Sequence, residues 1–213
     1  MGQTDVEYYI NGINFINYGV YVSASSGITS KLEVKERLSV DWNSYHGIYI
    51  DTNSRPIFKE RTINLDCFIE AFRYDDFISK CKDFISNFEQ KCTQRFKIDV
   101  GLKPLVYEII CIDPFDISKK WDPDLMIGTF KLKLIEPEPV KRVLKSVNDA
   151  TITLTSTKRL NIYWGDGTHT FDVIGEKTLT HTFTSTTEII ITGVIEDITN
   201  FSTNCEIIWN NLH

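Results

Sequence analysis

Between residues 62 and 70 the chain alternates, with Ile63, Leu65, Cys67 and Ile69 on one face and Thr62, Asn64, Asp66 and Glu70 on the other. A period of two predicts a half-buried strand. The period then changes. Phe77, Ile78, Cys81, Phe84, Ile85 and Phe88 follow helical spacing, with Lys80, Lys82, Asp83, Ser86 and Glu89 between them, so an amphipathic helix is expected over 77–88. Asp75 or Asp76 is placed to cap its start and to suit its dipole. Alternation returns at Phe96, Ile98 and Val100, and after a loop at 101–104 a further strand is expected over 107–112. One helix laid across an antiparallel sheet would bury the aromatic stripe.

The same pattern extends outward. Asn11-Gly12 between apolar residues marks a two-residue hairpin turn of type I′. A second β segment is expected over 16–22, a loop over 23–30, and short strands at 32–34, 38–42 and 48–50 around a turn-rich stretch at 43–47. Residues 118–124 suggest an exposed loop. A strand over 128–135 carries Lys131 and Lys133 on one face, which suits solvent or a sheet edge. Glu136-Pro137-Glu138-Pro139 then stops regular structure and marks a stiff connector, dividing the chain into domains 1–139 and 140–213. Beyond it the chain is Thr-rich, with strands expected at 151–155, 160–164, 180–183, 188–193 and 206–209 and a tight turn at Gly165-Asp166-Gly167-Thr168. Closely spaced short strands predict a small β-sandwich. The expected class is therefore mainly β with one principal helix (α+β), a β-rich domain followed by a small β-sandwich.

Composition narrows the function classes. A length of 213 residues allows one large domain or two small ones, and 42% hydrophobic with 24% charged residues supplies a core. A net charge of −6 without basic clusters argues against nucleic-acid binding. No apolar run reaches ~18 residues, so no membrane-spanning helix is expected. The N-terminus lacks a signal-peptide pattern, and Val6 follows Gly2 where a myristoylation start wants Ser or Thr. Cys67, Cys81, Cys92, Cys111 and Cys205 are odd in number and lack Cys-x-x-Cys spacing, which suits small buried hydrophobes in a reducing compartment.

No catalytic, cofactor-binding or metal-binding constellation emerges. Asp166 alone cannot supply the roughly six to eight oxygens that calcium takes. Asp75 with Asp76, and Asp122 with Asp124, sit in capping or loop contexts. His46 lies in a turn-rich loop, and Ser25-Ser26-Gly27 lacks a nucleophile-elbow frame. The Asn200-Phe201-Ser202 sequon has no secretion signal beside it. Trp164 and Trp209 fall in strands and are expected in the core. Trp121, in a charged loop, suits a subunit interface, a sugar platform or an anchor for that loop.

Two resemblances follow from these residues. Over 8–139, the Asn-Gly hairpin, Arg61 leading into Ile63-x-Leu65, the helix, the paired strands and Gly128-x-Phe130-x-Leu132-x-Leu134 ending in Glu136-Pro137 resemble the N-terminal domain of siphophage distal tail (Dit) proteins. Many relatives place an acidic-Gly turn where this chain has residues 43–47. The resemblance implies a non-enzymatic structural component of a phage or prophage tail. It implies a homohexameric ring in the virion tail that joins tail tube to tail tip, made in the host bacterial cytoplasm. The implied partners are further copies of itself and tail-tube and tail-tip proteins, with neither nucleic acid nor membrane. Trp121, Phe130, Leu132 and Leu134, with the N-terminal hairpin, are the candidate interface. Over 148–213, Trp164-Gly165-Asp166-Gly167 and His181-Thr182-Phe183 resemble the Trp-Gly-Asp-Gly and His-Thr-Tyr pair of PKD-like β-sandwich domains, with Phe183 for Tyr. That implies an interaction module in which His181 bonds backbone near the turn. It also raises an alternative function, a carbohydrate-binding or adhesin module with a host-surface glycan as partner.

Overall fold

The computed structural model describes residues 6–44, 46–101, 103–122 and 124–213. Gly2 and the rest of the N-terminal start, together with Tyr45, Leu102 and Pro123 in the expected loops, lie outside the described residues.

The first part of the chain runs β1 (Glu7–Ile10), β2 (Ile13–Asn14), a 3-10 turn (Phe15–Tyr18), β3 (Val20–Ser26), β4 (Ser39–Val40), β5 (Tyr49–Ile50), β6 (Arg61–Ala71), α1 (Tyr74–Ser86), β7 (Gln94–Asp99), β8 (Leu105–Ile109), β9 (Ser118–Lys120) and β10 (Met126–Glu136). Two four-stranded sheets form, in the orders β2-β1-β7-β8 and β3-β6-β10-β9, while β4 and β5 pair only with each other. The β1–β2 turn has φ of 49° at Asn11 and 82° at Gly12, the two positive values that type I′ needs. β6 and β10 pair in register from Arg61↔Glu136 to Ala71↔Met126. Their inward faces meet Phe77 and Phe84 of α1 and Phe15, Phe96 and Tyr107 in a single core.

Local departures have local causes. The helix starts a turn earlier than the apolar spacing implies. Arg73 holds the N-cap without a side-chain bond to the helix backbone, and Asp75 and Asp76 sit in the first turn rather than capping it. At the other end, Asn87 Nδ2 donates to the Asp83 and Phe84 carbonyls at 2.9 and 3.2 Å and closes the helix. Residues 15–18 coil because Asn14 Oδ1 accepts from Ile16 N at 3.0 Å. Much of the expected loop at 23–30 instead continues β3, and Ser118–Lys120 in the other expected loop adds to β10 as β9.

The second part runs β11 (Lys141–Ser146), β12 (Asp149–Tyr163), β13 (His169–Thr182), β14 (Thr187–Gly193), β15 (Ile198–Thr203) and β16 (Glu206–Leu212). Here the expected fold class is corrected. The molecule is a mostly β protein with a single described helix rather than α+β, and the strands of the second part are continuously hydrogen-bonded. They form one six-stranded sheet, β13-β12-β14-β11-β16, with β15 added to β12. The cause is β12. The segments expected as two strands are one of 15 residues, with irregular register between Ser156 and Leu160. One edge pairs with β13, while the other is shared between β15 at 152–156 and β14 at 160–163.

That sheet is covered on two sides. Ile152, Leu154, Ile162, Trp164, Ile189 and Ile191 share one cluster. On the other side Val143, Ile190 and Ile208 meet Val106 of β8. Ile189, Ile190 and Ile191 are all fully buried, which is why an unbroken apolar run replaces alternation there.

Candidate functional site

The turn after β12 brings the expected motif residues together. Trp164 N donates to Thr168 O at 3.0 Å, closing a loop in which Gly165 and Gly167 have φ of 92° and 89°. Asp166 Oδ1 accepts from Thr168 N at 3.0 Å and from its hydroxyl at 2.6 Å. His181 does not bond backbone, as the resemblance implied. Its Nε2 lies 2.6 Å from Asp166 Oδ2, and its ring stacks on Trp164 with centroids 4.8 Å apart. Trp164 Nε1 in turn donates to Thr170 Oγ1 at 3.0 Å, and Phe183 tilts against His181. Burial alone would raise the Asp166 carboxyl, but the Thr168 hydrogen bonds and His181 hold it at about 2. Both carboxylate oxygens are thereby engaged, Oδ1 within the turn and Oδ2 by His181 of β13.

Beside this turn a cavity of about 380 Å³ lies between the two parts of the chain, lined by Asn11, Arg95, Glu108, Tyr163, Asp166 and His169. Its polar groups mostly hold the parts together. Arg95 Nε pairs with Glu108 Oε1 at 2.6 Å, and its other nitrogens donate to the carbonyls of Glu188 and Tyr163 in the second sheet. Lys97 meets Glu188 at 3.2 Å. Lys103 donates to Ile208 O at 3.2 Å and Trp209 Nε1 to Pro104 O at 2.9 Å. Trp209, expected in the core, therefore serves this seam. Burial raises the Tyr163 hydroxyl above its usual range, and Glu138 adds to that.

The Glu-Pro-Glu-Pro segment is bonded to both parts. Glu136 Oε2 accepts from Arg61 Nε at 3.0 Å, and Oε1 accepts from Lys141. Arg61, Glu136 and Lys141 are 3%, 1% and 0% exposed, so this is a buried charge triad. Arg61 also donates to the Gly27 and Ile28 carbonyls, and the Lys141 ammonium sits 4.0 Å from the Tyr107 ring centre. Burial pushes the Glu136 carboxyl up and the Lys141 ammonium down, and their mutual attraction offsets part of each. Two residues on, Glu138 accepts from Asn161 Nδ2 at 2.8 Å and from the buried Thr192 hydroxyl. Glu136 thus ties the two parts to each other, while Glu138 anchors the segment to the second.

Surfaces are the remaining candidates. Phe130, Leu132 and Leu134 lie in the core, at 5%, 0% and 0% exposure, so their side chains are not available to a neighbour. The outer face of β10 carries Ile127, Thr129, Lys131 and Lys133, and β6 flanks the strand along its whole length. Trp121 is 45% exposed and stacks on Tyr74 at 4.7 Å, with Phe77 at its edge. Phe72, two residues before Tyr74 in the chain, is 77% exposed. Between β3 and β6 the chain forms a hairpin outside both sheets, tied to the second part by Arg55, which pairs with Asp197 at 2.9 Å. Lys35 N donates to Ile57 O and Lys59 N to Glu33 O at its base, and β4–β5 lies beyond. Leu38 is 74% exposed and Ile48 59%. The alternation at 38–42 and 48–50 marks these strands, but nothing in it marks that they leave the core. Phe72, Arg73 and Tyr74, large residues where β6 gives way to α1, are the one local sign of the patch.

The β-rich body, its single described helix and its appended sheet make a Dit-like fold. The chain is similar over 98% of its length, and 90% of the other's, to the crystal structure of the SPP1 Dit (gp 19.1) protein, described as a paradigm of the hub adsorption apparatus in phages infecting Gram-positive hosts, with 13% identity and a TM-score of 0.51. Structures of the phage P2 baseplate in its activated conformation with Ca and with Sr match at 7% and 8% identity, with TM-scores of 0.48 and 0.47; they cover 89% of this chain and 98% and 99% of those. No family model and no curated protein matches the chain.

Proposed function

We propose that this chain is a distal tail (baseplate hub) protein of a phage or prophage. In this reading it closes into a homo-oligomeric ring of six copies that joins the tail tube to the tail tip. The observation that carries the reading is the end-to-end likeness to the SPP1 Dit fold, which extends across both parts of the chain. Residues 1–139 form the ring unit and 140–213 the appended unit, a division supported by one apolar cluster confined to each side of Pro139 and a smaller one between them. A ring subunit acts by presenting fixed surfaces, and the seam bonds of Arg95, Lys97 and Lys103 suit such a rigid block.

Electron microscopy of the purified chain, alone and with a tail-tube protein, tests the proposal. Closed rings, and their stacking on the tube, are the expected result. A monomer at every concentration, with or without the tube, would overturn it.

A further inference from the structure

We infer that the cavity at the seam between the two parts binds a saccharide, held by side chains of the three segments that converge on it. Such a site is independent of ring closure and gives the chain a ligand of its own.

Each wall of the cavity is held by bonds within the protein. Asn11, in the β1–β2 turn, donates from its backbone nitrogen to Arg95 O at 2.8 Å and accepts at Oδ1 from Arg95 N at 3.0 Å. Gln94, 3% exposed, donates from Nε2 to the Gln90 and Cys92 carbonyls at 3.2 and 2.8 Å and fixes the loop before β7. Cys92 in that loop has φ of 66°, where a residue with a β-carbon is strained, and strain of this kind gathers at functional sites. The third wall is the turn at 165–168, closed on Trp164. Walls set before a ligand arrives lower the ordering cost of binding it. At about 380 Å³ the space falls within the roughly 300–1,000 Å³ of ligand pockets, and it lies at a junction between two parts, where such pockets concentrate.

The chemistry of the walls selects the ligand. Asn11 Nδ2, the Gln90 amide, the Lys91 ammonium and the His169 ring all line the cavity, and none makes a hydrogen bond to the protein among the described residues. Amides and an imidazole donate and accept at once, as sugar hydroxyls do. Glu108, 7% exposed, has one partner on each oxygen, Thr93 and Arg95, and so keeps acceptor capacity on both. Beside these groups is a flat apolar surface. His169 stacks on Phe171 with centroids 4.1 Å apart, Phe171 meets Tyr163 edge-on at 5.6 Å, and Phe171 is 47% exposed. Hydroxyl-bonding groups next to an exposed aromatic face match the two surfaces of a pyranose, its rim of hydroxyls and its face of C–H bonds. The mostly polar lining disfavours a lipid or aryl ligand.

Saturation-transfer NMR on the full chain tests the assignment, with the methyl glycosides of glucose, galactose, N-acetylglucosamine and glucuronic acid as probes. Transfer to the ring protons of at least one of them is expected. Gln90 and His169 are exposed, so Gln90→Ala and His169→Ala should leave the melting temperature unchanged. Combined, they should weaken binding by about tenfold or more. Trp121→Ala, on the other exposed aromatic surface, should leave binding as it was. No transfer to any probe at millimolar concentration, transfer that survives the double variant, or loss with Trp121→Ala instead would each overturn the assignment. Ring closure is read separately by microscopy, so failure here leaves the hub reading in place, and a monomeric chain that still binds sugar leaves this site in place.

Discussion

At Gly165 a β-carbon would sit 2.4 Å from the Thr187 methyl and 2.5 Å from the Glu188 carbonyl oxygen, and φ is already +92°. Gly167 has φ of +89° but open space around it. Gly165→Ala should therefore cost about 2–3 kcal/mol and Gly167→Ala clearly less, a ranking that thermal unfolding of the two variants would check. Asp166 makes a prediction in pH. Its folded carboxyl is held at about 2, below the ordinary 3.8, so its contribution to stability is present above pH 3.8 and fades as pH falls through about 2. Asp166→Asn should unfold at a lower temperature than wild type near neutral pH, and the gap should narrow in acid. This turn was legible because Gly-Asp-Gly is local punctuation. The partners of His181 were not, since its ring meets Trp164 only after β12 and β13 pair. Lys141 was wholly illegible: a lysine reads as surface until Arg61 and Glu136 are brought beside it.

Strands with clean alternation, such as β6, β7 and β10, were legible from one face, and so was α1, because burial on one side imprints a period. β11 and β15 carried too little signal, and the order of the sheets none, since pairing depends on contacts far apart in sequence. Ile189-Ile190-Ile191 could have been read as a strand covered on both faces. The triad tests the cost of charge inside this framework. Glu136→Gln leaves Arg61 and Lys141 buried without a counter-charge and should destabilise by about 3–5 kcal/mol. Lys141→Met leaves the Arg61–Glu136 pair intact and should cost less. Denaturant unfolding of the two variants side by side gives the ranking; an equal or reversed order would mean that the lysine, not the glutamate, holds the triad together.

Across the whole molecule, the seam couples both parts into one unfolding unit. A single calorimetric transition is expected for the wild type. Arg95→Ala removes the bonds to Glu188 and Tyr163 and leaves the buried Glu108 with the Thr93 hydroxyl but no counter-charge, so it should lower the melting temperature and separate the trace into two transitions. The expected interface on Phe130, Leu132 and Leu134 failed for a related reason, because sequence shows that a face is apolar but not whether another part of the same chain already covers it. The bonded Glu136 and Glu138 also bear on how such a protein can exchange modules by recombination. A crossover at the prolines would be the obvious seam, yet it parts Glu136 from Lys141 and Glu138 from Asn161 and Thr192. An incoming module lacking the lysine inherits a neutral Arg61–Glu136 pair and tolerates the graft. One lacking Asn161 and Thr192 strands Glu138 instead. Viable chimeras should therefore carry donor residues that answer Glu138, whatever else they replace.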